Sequence, residues 1–340
     1  MNNNNKFILA IESSCDDTGA SVLKNNNVLS NCIANQEIHK SYGGVVPELA
    51  SRAHQSNIVP VVHQALTIAN IDKKDLSAIA YTRGPGLLGS LLVGSSFAKS
   101  MSLSLKIPLI EVNHMQAHLL CHFINDERIK IPKFPFIGVT LSGGHTQIVH
   151  VDNYFKMKII GTSLDDAIGE AFDKCGKILG LNYPAGKEID DLAKNGDSDK
   201  FKFPIPKVPN LDVSYSGVKT AFLNFINNNL SKNKNFIKQN LSDISASIQK
   251  NLIKIIMNKI EIASEKSGID RIVIGGGVSA NSEIKKELEL RKNTKNWEVH
   301  IPPIEYTMDN AAMIGIVGYY KLLNKDYSNL NQVSDPRLSF

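Results

Sequence analysis

The sequence predicts an α/β protein of two duplicated domains around a nucleotide cleft. Three observations carry that expectation. Strand-like apolar runs alternate with helix-period stretches along the chain. The strand–loop–strand pattern "FILAIESSCDDTGASVL" returns about 130 residues later as "FIGVTLSGGHTQIVHV", with the same order and apolar spacing. Polar or glycine-rich turns close strands at "ESSCDD", "SGGH" and "IGGGVSAN", where they fit phosphate-gripping loops facing each other across a cleft. A length of 340 residues accommodates two domains of about 100–200 residues each.

Each element follows from its local pattern. Phe7–Ile11 and Ala20–Leu23 read as strands flanking a Ser/Asp/Gly cluster, and "KNNN" turns the chain into a third strand. "VVPELASRAHQSNIVPVVHQALTIAN" reads as a helix with Pro47 near its first turn. "LSAIAYT" is a strand, "GLLGSLLVGSSFAKSMSLSL" a helix rich in small residues, "PLIEV" a strand and "NHMQAHLLCHF" the next helix. The Pro/Lys-rich stretch from Asn125 to Pro135 is the best domain boundary. Beyond the second hairpin, "DDAIGEAFDKCGKILG", "SGVKTAFLNFI" and "SDISASIQKNLIKIIMNKIEIASEKSG" have helical period. "DRIVIGGGVSAN" is a strand entering a glycine turn and a helix that Ser279 is placed to cap, "WEVHIPP" is a strand, and "TMDNAAMIGIVGYYKLL" is the last helix.

Composition narrows the class. An apolar fraction of 42% and a charged fraction of 21% are those of a soluble globular protein. No apolar run approaches the roughly 20 residues that span a bilayer, which excludes a membrane protein. The N-terminal "MNNNNKFILAIESS" lacks a basic n-region and reads as a short polar tail before a buried strand, not a secretion signal. Cys15, Cys32, Cys121 and Cys175 are scattered and form no C-x-x-C pair, as expected of reduced thiols in a cytosolic protein. A net charge of +5 permits a nucleic-acid partner without demanding one.

"GPGLLG", Gly84 to Gly89, matches the G-x-G-x-x-G pattern of dinucleotide-binding folds. Pro85 removes an N–H from the loop that would cradle pyrophosphate, and the preceding strand is not the first of its domain. Close helix–strand approach is the better reading of these glycines. In "LSGGHTQ", successive backbone amides at Ser142, Gly143 and Gly144 can form an anion-binding nest.

"NHMQAH" has the N-x-x-Q spacing of a capping box, which starts a helix at His114. His114 and His118 then share one face and make a divalent-metal clamp, although spacing alone leaves a packed pair of histidines equally open. A peptidase would need Glu directly after the first histidine, where Met115 stands.

Together, "IESSCDDTGAS", "YGGVVPELASRAH", "GPGLLGSLLVG", "NHMQAHLL", "SGGHTQIV", "DDAIGEAFDK", "GGGVSAN" and "MDNAAMIG" resemble the tRNA N6-adenosine threonylcarbamoyltransferases, historically called O-sialoglycoprotein endopeptidases, of the actin-like ATPase superfamily. The resemblance runs from residue 8 to about residue 317. It implies a two-lobed actin-like fold, with domains at 1–130 and 131–307 and a C-terminal helix at about 308–325 packing back near the first. It implies transfer of a threonylcarbamoyl group from threonylcarbamoyl-adenylate to N6 of adenosine 37 in tRNAs reading codons that start with A. The implied metal is one Fe(2+) per subunit, with Zn(2+) as the alternative, on His114, His118 and Asp309. The implied substrate contacts are Thr140, Leu141, Ser142, Gly143, Gly144, Asp173, Gly186, Asp190 and Asn281. The expected partners are tRNA, an actin-like paralogue and a small ATPase in the cytoplasm, with no membrane.

Departures from the family pattern are Gln116, where an acidic residue is usual, Ala185 for the first glycine of a P-G-G turn, and Lys187 where proline is common. Alanine resists positive φ, so Ala185 puts that turn in question. On the first hairpin, Glu12 or Asp16 is the expected base or positioner, with turn formation as the alternative role of Asp16 and Asp17. The small-residue helix (Gly89, Ser90, Gly94, Ser95, Ser96) offers close packing to a partner or to the fold itself. Rival functions are a metallopeptidase, a dinucleotide oxidoreductase and a non-catalytic nucleotide-binding scaffold.

Overall fold

The computed structural model describes residues 5–340, so residues 1–4 of the expected polar tail lie outside the described residues. The chain forms two compact units, Met1–Pro132 with Pro302–Phe340, and Lys133–Ile301.

In the first unit, β1 (Phe7–Glu12), β2 (Thr18–Lys24) and β3 (Asn27–Ala34) form an antiparallel meander. There follow α1 (Pro47–Ala69), β4 (Ala78–Gly84), α2 (Leu88–Leu105), β5 (Leu109–Asn113) and α3 (His114–Leu120). The sheet order is β3-β2-β1-β4-β5, with β4 parallel to both β1 and β5. Strand β1 is central and covered on both faces, which is why "ILAI" is continuously apolar and wholly buried. Pro47 occupies the first turn of α1, where its fixed φ suits the helix and its missing N–H costs nothing.

The second unit repeats the plan. Strands β6 (Phe136–Leu141), β7 (Thr146–Asn153) and β8 (Lys156–Thr162) are antiparallel. They are followed by α4 (Ile168–Leu179), α5 (Gly186–Ala193), α6 (Ser216–Leu230), α7 (Phe236–Ser267), β9 (Arg271–Gly275), α8 (Ser282–Lys295) and β10 (Glu298–His300). Its order is β8-β7-β6-β9-β10, with β9 parallel to β6 and to β10. Strand for strand this is the first sheet again, in the same senses.

Two elements had no counterpart in the sequence reading. Strand β8 is an edge strand whose lysines alternate outward, and α5 has only eight residues, one of them fully buried. Helix α9 (Ala311–Leu323) returns to the first unit, where its apolar "AAMIGIVG" is buried against β1, β2 and β4. No helix among the described residues is long and apolar enough to cross a membrane. All four cysteines are free thiols.

Candidate metal centre and ligand-binding loops

Strand β5 ends at Asn113, whose side-chain oxygen accepts the N–H groups of Met115 at 2.9 Å and Gln116 at 3.1 Å. That cap starts α3 at His114. Asn113 does the capping alone, since the Gln116 side chain makes no return bond among the described residues. His114 and His118 are buried, with their Nε2 atoms 3.2 Å apart and their rings edge-on.

Asp309 brings Oδ1 to 3.4 Å from His114 Nε2 and 3.2 Å from His118 Nε2. Metal–nitrogen bonds of about 2.0–2.1 Å put neighbouring donors about 3.0–3.4 Å apart. The three donor atoms therefore have the mutual spacing of one face of a metal's coordination shell, and the residues fit a divalent cation. One expectation is corrected. Asp309 is not in the first turn of the last helix; Asn310 caps that helix by accepting the Met313 N–H, and α9 begins at Ala311. Asp309 is thus held just ahead of the cap, with its carboxylate turned to the histidines.

Glu12 closes β1 and is wholly buried. Its Oε2 accepts the Thr82 hydroxyl at 2.6 Å and His114 Nδ1 at 2.9 Å, while Oε1 accepts the Ser14 N–H at 2.5 Å. The proton of His114 is thereby placed on Nδ1, and Nε2 faces Asp309 and His118. Burial alone would depress the His114 imidazole, but the Glu12 and Asp309 carboxylates outweigh it and raise its pKa well above the usual value. Burial works to raise both carboxyls, and the His114 charge outweighs it and holds them low. Burial, followed by the His114 charge, depresses His118, against the opposing pull of Asp309.

Both oxygens of Glu12 are engaged, so it is placed to position His114 rather than to abstract a proton. Asp16 lies on the following loop beside the Cys15 thiol. Asp17 is pushed up to about 7, first by burial and then by Asp16, Asp309 and Glu12. His54 of α1 braces this loop, with Nδ1 2.8 Å from the Thr18 hydroxyl and Nε2 3.0 Å from the Cys15 carbonyl oxygen.

The "GPGLLG" loop is filled by the chain itself. A side chain on Gly84 would overlap the carbonyl oxygen of Asp335, and one on Gly86 would overlap Ser14. On α2, Gly89 faces Ser51 of α1 and Gly94 faces Ser13, while Ser90 and Ser95 are buried. That small-residue face is consumed inside the unit and is not free for a partner; only Ser96 of the set points outward.

In the second unit residues 140–144 and Asn281 lie at or after the C-terminal ends of the parallel strands β6 and β9, the usual ligand edge of such sheets, and Asp190 joins them through Ser282. Thr140 pairs with Gly275 across them, and its hydroxyl is buried without a hydrogen-bond partner. Leu141 packs its backbone against Gly276. The Ser142 N–H donates to the His145 carbonyl at 2.9 Å and so is not open to an anion; Gly143 and Gly144 are exposed. Asp173 Oδ1 accepts the Ala185 N–H at 2.7 Å, and the carboxylate also takes the Gly186 N–H. Burial raises the Asp173 carboxyl, against the opposing pull of those two bonds.

Asp190 on α5 accepts the Ser282 hydroxyl at 2.6 Å and its N–H at 3.1 Å. Ser282 follows Asn281, whose Oδ1 accepts the N–H groups of Glu283 and Ile284 and whose Nδ2 donates to Gln249 at 2.8 Å. Asn281, not Ser279, is therefore the cap of α8. A 3-10 turn over Gly277–Ala280 delays the helix, and Ser279 is buried within it with its hydroxyl unpartnered.

The family model for tRNA N6-adenosine threonylcarbamoyltransferase matches residues 27–316. The chain is 58% identical over 333 residues to the tRNA N6-adenosine threonylcarbamoyltransferase of Christiangramia forsetii, covering 98% of each chain. It is 53% identical to that of Riemerella anatipestifer over 97% of each chain. The chain belongs to the tRNA N6-adenosine threonylcarbamoyltransferase family. Solved structures show the fold. HypF in its phosphate- and nucleotide-bound form superposes with a TM-score of 0.63 at 14% identity, over 95% of this chain and 47% of that one. A ROK hexokinase from Thermus thermophilus does so at 0.51 and 12%, over 94% and 99%. The fold is the two-lobed actin-like ATPase fold.

Within this threonylcarbamoyltransferase chain, sequence reasoning missed Thr82, Ser14, Gln249 and Ser282. Thr82 lies mid-strand in an apolar run and carries no local signal. Ser282 had one: it directly follows an asparagine at a helix start, where side chains satisfy exposed N–H groups.

Proposed function

We propose that this protein transfers the threonylcarbamoyl group of threonylcarbamoyl-adenylate to N6 of adenosine 37 in tRNAs reading codons that start with A. The observation that carries the reading is the converging triad His114, His118 and Asp309 in a chain of this family. We assign it one Fe(2+), with Zn(2+) as the alternative. Bound there, the cation supplies Lewis-acid stabilisation of charge on the threonylcarbamoyl group.

The chain's own residues do the rest by placement. The donor is a mixed anhydride with a good leaving group, and the exocyclic amine is a weak nucleophile, so positioning carries most of the acceleration. Glu12 keeps the His114 proton on Nδ1 and so keeps Nε2 available. The amides of Gly143 and Gly144 receive the adenylate phosphate, and the buried Thr140 hydroxyl lies at the same strand end. Asp173 holds the Gly186 turn and Asp190 the Asn281–Ser282 corner, and these take the adenosine side of the substrate. A peptidase needs a free carboxylate to activate water, and Glu12 has none to spare. We place the reaction in the cytoplasm, together with an actin-like paralogue and a small ATPase.

The test is reconstitution: this protein, those two partners, threonylcarbamoyl-adenylate and unmodified tRNA, followed by nucleoside analysis. Threonylcarbamoyladenosine should form in the complete mixture, vanish with a chelator and return with Fe(2+). A complete, metal-loaded mixture that leaves the tRNA unmodified would overturn the reading.

A further inference from the structure

The segment after α9 has no helix or strand, yet its backbone is tied down along its length. The Ser328 N–H donates to the Leu109 carbonyl of β5 at 2.8 Å. The Gln332 carbonyl accepts from Lys99 Nζ at 2.5 Å and the Val333 carbonyl from Arg83 Nε at 3.1 Å. The buried Ser334 hydroxyl is 3.0 Å from that of Ser95. The Asp335 N–H then donates to the Arg83 carbonyl at 3.0 Å, and Gly84 leaves room for the Asp335 carbonyl.

From there the last six residues reach the surroundings of His114 by two routes. On one, the Pro336 carbonyl accepts the Gly86 N–H at 3.2 Å, and the next residue, Leu87, donates its N–H to the Ser14 carbonyl at 2.7 Å. Ser14 in turn donates its own N–H to Glu12, and its hydroxyl lies 3.3 Å from His114 Nδ1. On the other, Asn113 Nδ2 points to the carbonyls of Ser339 at 3.2 Å and Leu338 at 3.5 Å, while Asn113 Oδ1 caps the helix that begins at His114. One segment thus fixes both the residue before His114 and the loop that follows its carboxylate partner Glu12.

We infer that residues 335–340 are a positioning strap for the metal centre, setting the orientation of His114 through Gly86–Ser14–Glu12 and through Asn113. Among the described residues, carbonyls of the strap accept from Gly86 and Asn113 and not from His114, His118 or Asp309, so its effect is on ligand geometry. Hydrogen-bond partners of metal ligands, as Glu12 is of His114, are worth about 10–100-fold in metal affinity, and the strap acts through what holds them. The inference rests on His114, His118 and Asp309 being a metal site. By reciprocity, a strap that tightens metal binding must itself be tightened by the metal to the same extent.

The test compares the full chain with two variants. One ends at Ser334, which keeps the Lys99, Arg83 and Ser95 anchors. The other is Asn113→Ser, which keeps a helix-capping oxygen and removes the Nδ2 donor. Cobalt(II) affinity and the visible absorption spectrum of the cobalt complex are measured for each. Hydrogen exchange of residues 335–340 is followed with and without cobalt(II) in the full chain. Both variants should bind cobalt(II) about tenfold more weakly, with a changed spectrum, and cobalt(II) should slow exchange in the strap by a similar factor. Unchanged affinity and spectrum in Asn113→Ser, with strap exchange indifferent to metal, would overturn the strap and leave the metal site standing. A full chain that binds no cobalt(II) would overturn both.

Discussion

Gly176 on α4 and Ala185 ahead of α5 are a matched pair: a methyl group on Gly176 would overlap the Cβ of Ala185. Ala185 is buried, with φ −88° and ψ −14°, so this turn needs no left-handed residue, and alanine fits where a glycine is usual. Its N–H still reaches Asp173. Gly176→Ala should gain about 1 kcal/mol of helix propensity and lose about 2–3 kcal/mol to overlap, a net destabilisation of about 1–2 kcal/mol. In an Ala185→Gly background the same change should become neutral or stabilising. Urea unfolding of the four chains measures the coupling, and equal effects in both backgrounds would mean the two residues do not compete for space.

Asp17 predicts a pH dependence. Its pKa is about 7 in the folded chain, against about 3.9 for an unfolded aspartate. Between those values the folded state keeps a proton that the unfolded state has lost. The associated stability is full below about pH 4 and is lost as pH rises through about 7. Asp17→Asn should therefore raise the Tm of metal-free protein more at pH 8 than at pH 5, by about 2–4 °C at the higher pH. Melting curves in chelator at the two pH values decide it; an equal gain at both removes Asp17 as the source.

Gly169 packs under the loop at residues 142–144, the proposed phosphate site of the second unit. Its N–H donates to the Ser142 carbonyl at 3.2 Å, and a side chain there would press on Ser142 and Gly143. Gly169→Ala should shift the loop and weaken adenylate binding by about tenfold, or 1.4 kcal/mol. Metal content should stay the same, because the proposed metal ligands His114, His118 and Asp309 lie in the other unit. Calorimetry with an unreactive adenylate analogue reads the loss, and an unchanged Kd would mean the loop does not hold the phosphate.

What the sequence made legible follows from how each feature is encoded. The duplicated hairpins, the sheet strands and the His114–His118 pair are local patterns, and local patterns survive reading one chain. Asp309 is different, because nothing in its own surroundings links it to α3, and only the family pattern picked it out. The cap of α8 was misplaced because glycines mark where a strand ends, not where a helix begins, and the Gly277–Ala280 turn separates the two. Residues 328–340 escaped entirely. They are held through backbone carbonyls that accept from Lys99, Arg83 and Asn113, and such bonds leave no imprint on side-chain periodicity.

The roles of Asp309 and Glu12 separate in one experiment. Asp309 offers its oxygen to the same point as the two imidazoles, whereas Glu12 touches only the far nitrogen of His114. Removing a donor costs a metal bond and weakens binding far more than removing the hydrogen-bond partner of a donor, which leaves all the metal bonds in place. Asp309→Ala should accordingly carry little metal even when iron(II) or zinc is in excess, and transfer to tRNA should cease. Glu12→Gln should bind about 10–100-fold more weakly yet fill at high metal concentration. Its amide cannot accept from Ser14, Thr82 and His114 together, so that variant should also lose stability, by about 1–3 kcal/mol for one buried group left unpaired. Circular dichroism should remain native in both. Elemental analysis across a metal titration gives the answer: full occupancy in Asp309→Ala would put the third ligand elsewhere, and failure of Glu12→Gln to fill at any concentration would make Glu12 a ligand itself.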